Sequence, residues 1–329
     1  MLRNAASFMA LCIGATAFGL VAPATAQTPA STAGDWVIPR TPDGRPDLQG
    51  NWTSATLTPL QRPEDQENLV LSWEEVEVRE GRAANRLERV SRPSDPDRLA
   101  PETGGRGGRG SVGGYNGIYI DAGDVVARVY GEPRSSLITH PADGRVPELT
   151  PEARARRAER REVRSQFGPY DHPELRPLGE RCLVSFGSNA GPPMLPNGFY
   201  NNNYTIVQTP DHLVIMAEMV HDARIIRIGD GPRLPDHIRP WMGDSWGHWE
   251  GDVLVVETTN IHPLHRYSGE EMKVTERFSR MSEDAVLYEF TIDDPSTYIE
   301  PWGAQVPMMA LNDRLYEYAC HEGNYALSN

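Results

Sequence analysis

From residue 181 onward the chain is a succession of short strand-like runs broken by tight turn signals, with no helical pattern between them. The runs cover residues 204–208, 212–219, 224–228, 253–259, 273–280 and 285–292, and a closing strand or strands are expected within 306–320. Thr209-Pro210-Asp211, His221-Asp222, Gly229-Asp230-Gly231-Pro232 and Ser282-Glu283-Asp284 punctuate them. Short strands joined this way restrict the chain to an antiparallel meander or an up-and-down barrel. No internal repeat is evident.

The densest chemistry lies in residues 241–260, WMGDSWGHWEGDVLVVETTN, which hold three of the seven tryptophans, one histidine and four carboxylates. Gly251-Asp252 between strand-like flanks predicts a tight hairpin turn, so His248 and Glu250 end one strand and Asp252 opens the next. Polar side chains at such a rim are well placed for binding or catalysis.

Residues 1–26 have the form of an export signal. Arg3 supplies the positive start, residues 8–21 an apolar run, and Ala24-Thr25-Ala26 a cleavage site, so a periplasmic or secreted protein cut after Ala26 is expected. The apolar run is too short, and too interrupted by Gly14 and Gly19, for a membrane anchor. No later segment has the length of a spanning helix, so no membrane insertion is expected after cleavage. The formal net charge is −14, and loss of Arg3 lowers it by one. An acidic surface disfavours nucleic acid and anionic membranes as partners. Cys12 leaves with the signal. Cys182 and Cys320 then remain in an oxidising compartment, where one disulfide is expected.

Residues 27–47 form an N-terminal linker, small-residue at first and then rich in proline and turn residues. A single domain of residues 48–329 follows, with an insertion at about 60–180. Its opening Gly50-Asn51-Trp52 resembles the first strand of lipocalin-type barrels, in which the tryptophan plugs the closed end. Within the insertion, Ser72-Trp73-Glu74-Glu75 is a capping box for a helix to about Val90. Thr150-Pro151-Glu152 caps a second helix through Arg164. Its six arginines are interleaved with three glutamates, the pattern of a solvated, salt-bridged face rather than a phosphate patch. The glycine run 104–110 lacks the Gly-Lys-Ser/Thr ending of a phosphate loop and is read as a surface loop.

Strand alternation assigns faces to carboxylates. Glu276 shares a face with Val274 and Phe278, Glu218 with Val214 and Met216, and Glu257 with Val253 and Val255. A carboxylate inside a barrel either neutralises a buried arginine, Arg224 or Arg277 being nearest, or has its pKa raised for acid–base work. The catalytic reading gains if Glu218, His221, Asp244, His248 and Glu250 converge on one mouth. His248 and Glu250 suit a metal, an acid–base pair or a hydrogen-bonded rim equally. His262 and His265 flank Pro263-Leu264 without an obvious third ligand, so no metal is expected. A serine hydrolase is unsupported, because no Gly-x-Ser-x-Gly elbow is present. Ser245 is the one serine worth testing.

Four motifs carry a family likeness: Glu218-Met-Val-His221-Asp-Ala-Arg224; Trp241-x-Gly-Asp-Ser-x-Gly-His248-Trp-Glu-Gly-Asp252; Glu276-Arg-Phe; and Ile292-Asp-Asp-Pro with Pro301-Trp302. With Asp43-Gly44-x-Pro46-Asp47 and Trp52 ahead of them, they resemble a large family of exported bacterial proteins, most without an assigned activity. The resemblance implies export and a shared β-architecture, and supplies no reaction.

The expectation is therefore a mainly β, lipocalin-like antiparallel barrel with a helical and Gly-rich insertion, holding a hydrophobic small molecule without a cofactor. As an enzyme it would be a lyase, isomerase or cyclase. Glu218 or Glu276 would be the base, His221 and His248 proton shuttles, and Arg224 the group that steadies negative charge, with Asp244 beside them. Trp241, Trp246, Trp249 and Glu250 would line the ligand. The alternative is a non-catalytic binding protein in which these groups only orient the ligand. A metal-dependent hydrolase is the third reading.

Overall fold

Nine strands close into a barrel in the computed structural model of the protein, which describes residues 36–92, 121–168, 170–185, 191–198, 202–265, 269 and 271–322. The expected signal segment and the glycine run lie outside the described residues. In chain order the elements are β1 (Gly50–Thr53), α1 (Trp73–Ser91), β2 (Arg128–Val129), β3 (Glu132–Pro133), β4 (Ile138–His140), α2 (Pro151–Ser165), β5 (Asn203–Gln208), β6 (His212–Ala217), β7 (Ala223–Ile228), β8 (Asp244–Glu250), β9 (Val253–Thr259), β10 (Lys273–Ser282), β11 (Ala285–Asp293) and β12 (Trp302–Ala310). The sheet runs β1-β5-β6-β7-β8-β9-β10-β11-β12, and β12 returns to β1 through Trp52↔Ala310 and Thr53↔Met309. Closure removes the free edges that a flat sheet would expose.

Both helices begin where their caps direct. Ser72 Oγ accepts from the Glu75 backbone N–H while the Glu75 carboxylate accepts from the Ser72 N–H, and Thr150 Oγ1 accepts from Ala153 N–H. Strand β4, from the insertion, adds to β12 at Gly303↔His140 and Ala304↔Ile138.

Two expectations are corrected. The barrel is not purely up-and-down, because β7 and β8 pair in parallel through Arg227↔Trp246 and Ile228↔Gly247. Parallel neighbours need a crossover connection, and the proline-bearing segment 229–243 supplies it as a strap along the outer wall. The closing strand starts at Trp302 rather than at 306, and residues 311–320 form no strand. Pro307 is tolerated inside β12 because it falls between the register positions of β4 (303–304) and β1 (309–310), where no neighbour needs its missing N–H.

The strand ends define two rims. At one rim lie the β5–β6, β8–β9 and β10–β11 turns, and residues 39–48 lie across it. Arg40 pairs with Asp252 at 2.8 Å, and Arg45 lies 6.0 Å from the Trp249 ring. The Arg280 guanidinium sits 5.1 Å from the Trp52 ring and donates to Asp47 O. The indole of Trp52, buried at this end, donates to Leu48 O.

Between the rims the barrel is filled. Inward-facing Val274, Phe278, Val286, Tyr288, Trp302 and Val306 are at most 1 % exposed. Phe278, Tyr288, Phe290 and Trp302 follow one another with ring centroids 5.0, 5.9 and 5.6 Å apart. Each such ring contributes roughly 1.5–3 kcal/mol by burial alone.

Candidate functional site

The tryptophan-rich stretch is built residue by residue from the barrel's needs. Gly243 has φ +72°, and a Cβ there would come within 2.7 Å of Thr259 O, so no other residue fits without displacement. Asp244 faces outward but is buried beneath the strap, where Arg227 and the Leu234 N–H (2.7 Å) donate to its carboxylate. Ser245 faces inward. Trp246 lies outside between the Arg227 guanidinium, 4.2 Å from its ring, and Gly231 of the strap, where a Cβ would clash with the ring. Gly247 leaves room for Ile228, Leu254 and Ile226 inside. Trp249 packs against the core at the covered rim. Gly251 has φ +61° and heads the two-residue turn before Val253, as a hairpin of this kind requires. Trp241 stacks on His262 with ring centroids 3.9 Å apart, and its place is on the strap side.

Inside, the opposite half of the barrel carries one polar cluster. Arg224 on β7 and Glu276 on β10 form a two-pronged ion pair, one prong being Nη1 to Oε1 at 2.8 Å. Tyr288 donates to Glu276 Oε1 at 2.8 Å. The Arg224 guanidinium also donates to Ser245 Oγ (3.1 Å) and Thr258 Oγ1 (2.7 Å). Every partner of Glu276 is a donor, so its carboxylate only accepts. Desolvation lowers the Arg224 pKa, the Glu276 charge raises it, and the net direction is upward. Burial, then the Glu276 charge, pushes the Tyr288 hydroxyl well above its ordinary value. Met194, buried above the cluster, donates its backbone N–H to Tyr288 Oη at 3.0 Å.

The turn from β6 to β7 sits at the same rim. Its Val220 adopts φ 63°, ψ 15°, left-handed backbone that a β-branched residue rarely takes, and its side chain is buried. Glu218 begins this turn, half-buried, and its Oε2 accepts from Asn203 Nδ2 at 2.8 Å. Asn203 Oδ1 is buried and accepts no hydrogen bond among the described residues. His221 ends the turn; its side chain is outside the described set.

The sequence-derived candidates therefore do not share one mouth. Glu276 and Arg224 face inward, Glu218 and the His221 backbone lie at the rim opposite the one that residues 39–48 cover, and Asp244, Trp246, His248 and Glu250 are on the outer wall. Glu218 and Glu257 are corrected, because the inner faces of β6 and β9 are Leu213, Ile215, Ala217 and Leu254, Val256, Thr258. Alternation alone leaves the choice open where both faces of a strand are apolar. His248 and Glu250 approach to 3.3 Å at the surface, and Arg277 donates to Glu250 at 3.0 Å. The bond from Arg277, then that from His248, holds the Glu250 carboxyl below its ordinary range. Ser245, the serine of the Trp241–Asp252 motif, is a cluster member, and so are Thr258 and Tyr288, which lie in no motif and are marked only by falling on inward faces.

Among the described residues no group of three His, Cys, Asp or Glu is placed to hold a metal, and no helix is long and apolar enough to cross a membrane. Cys182 and Cys320 form the expected disulfide, with Cα atoms 5.8 Å apart. Comparison with protein-family models finds no match, and comparison with curated proteins finds no significant similarity.

Proposed function

We propose that this is a binding barrel for a small, largely apolar molecule, taken up at the rim formed by the β6–β7 turn and the Arg224–Glu276 cluster. The observation that carries the reading is Val220. Left-handed backbone at a buried β-branched residue costs about 1–3 kcal/mol, and such strain persists where the placement of its neighbours matters. Here it fixes Glu218 next to the open acceptor of Asn203, above an otherwise apolar wall. A few oriented polar groups set against apolar side chains are the usual make-up of a small-molecule site. Binding rather than turnover is favoured because Glu276, the most buried acid, is fully occupied by Arg224 and Tyr288 and has no free lone pair facing a substrate. An extracytoplasmic location is part of the proposal, and it is supported by the signal-like first 26 residues and the disulfide.

The test uses the neutral fluorescent probe N-phenyl-1-naphthylamine with the full chain. Fluorescence should rise on binding, and Met194→Trp, which puts a larger side chain over Tyr288, should weaken affinity about tenfold or more. No enhancement, or equal affinity in the two proteins, contradicts the reading.

A further inference from the structure

A concavity lies on the outer wall of the barrel. It has a volume of about 160 Å³ where β4 branches from the barrel beside β12, and extends across β11 to β10. We infer that it is a binding site for a neutral polyhydroxylated molecule, a saccharide or polyol.

The lining sets the class. Phe290 and Ala304 reach it only with backbone, because their side chains face the core and are almost wholly buried. What remains is polar, and it includes the His140 imidazole at the end of β4. Thr139, Thr275 and Thr291 bring hydroxyls that no other described residue engages. Gln305 donates through Nε2 to Glu289 Oε1 at 2.9 Å, which leaves its amide oxygen and Glu289 Oε2 turned to incoming donors. Register aligns Arg277, Glu289 and Gln305 side by side on successive strands, so donors and acceptors alternate across the floor. The strand shift at Gly303 and Ala304, with no side chain on Gly303, opens that floor beside Thr291.

Charge excludes the competitors. An anion would meet Glu289, and the charge of Arg277 is already matched by Glu250 at 3.0 Å. A cation would meet Arg277 and find a single carboxylate, and a metal ion would have only His140 and Glu289, with no third His, Cys, Asp or Glu among the described residues placed to complete a site. An apolar ligand would strip water from hydroxyl and amide groups without replacing their hydrogen bonds. A molecule with many hydroxyls returns a bond to each, as both donor and acceptor.

Saturation-transfer NMR on the full chain with methyl β-D-glucopyranoside and maltotriose, each at about 5 mM, tests this at the millimolar affinity expected of an open polar site. Transfer to ring protons is expected in the wild type. Thr291→Val keeps the shape and removes one hydroxyl; Glu289→Gln removes the charge and keeps the volume. Each should weaken binding about five- to tenfold, the loss expected for one or two hydrogen bonds. N-phenyl-1-naphthylamine binding should be unchanged in both variants, which separates this site from the rim. No transfer to either sugar, or equal transfer in wild type and both variants, overturns the inference.

Discussion

Glu276→Gln is the substitution that most sharply separates a clamp from a catalyst. The change keeps the volume and one oxygen, so Tyr288 still has an acceptor. It removes the charge that Arg224 needs, and Arg224 is 2 % exposed. One of the two guanidinium prongs then faces an amide N–H₂ instead of an oxygen. Breaking a buried ion pair from one side costs about 3–5 kcal/mol, mostly the uncompensated charge left behind. For a chain of this size that lowers the melting temperature by roughly 6 °C or more. Thermal and urea melts followed by circular dichroism measure it directly. The double variant Arg224→Met with Glu276→Met removes both charges and should recover much of the loss, since the penalty belongs to the orphaned partner. If Glu276→Gln melts within about 2 °C of wild type, the clamp assignment fails and acid–base chemistry at Glu276 returns as the better account.

Other perturbations follow from the same contacts. Gly243→Ala should destabilise well beyond about 1 kcal/mol, because left-handed strain is joined by a clash with Thr259 O; Gly251→Ala has equal strain but open space and should cost only about 1–2 kcal/mol, as urea midpoints will show. Cys182→Ser removes a link across 138 residues, with an upper loss of about 5 kcal/mol by chain entropy, and the melt of the reduced wild type should match that of the variant. Burial, then the charge of Arg239, holds His262 below its ordinary value of 6.5. The unfolded chain therefore takes up this proton first. The associated stability is complete above pH 6.5 and is lost as pH falls towards the folded value. His262→Asn should flatten that part of the stability–pH curve, and an unchanged curve would assign the slope to other groups.

The barrel was legible in the sequence because alternation and turn chemistry are local. The Gly251-Asp252 hairpin, the Ser72 capping box and the inward face of Glu276 all follow from neighbours within a few residues. Topology was less so. The β7–β8 pair is parallel because the strap crosses back over Trp246, and nothing in the local pattern of residues 229–243 states a direction. The tryptophan-rich motif suggested a ligand site because tryptophan, histidine and carboxylate also serve binding. Its residues instead divide between the two sides of one strand: Ser245 and Trp249 serve the interior, and Asp244 and Trp246 hold the strap. Residue type gives no sign of which side has a ligand. Glu257 and Glu218 were placed by alternation on strands with two apolar faces, where the period is right and the phase is undetermined. Val220 carries no sequence signal, since left-handed backbone is expected at glycine or asparagine.

Where a ligand meets this barrel is decided most directly by hydrogen–deuterium exchange of the full chain with and without saturating N-phenyl-1-naphthylamine. The account predicts slower exchange confined to peptides containing residues 191–195, 203–204 and 217–224, with the covered rim around residues 45–52 unchanged. Protection concentrated at that covered rim or on the outer wall, or no protection anywhere, would contradict it.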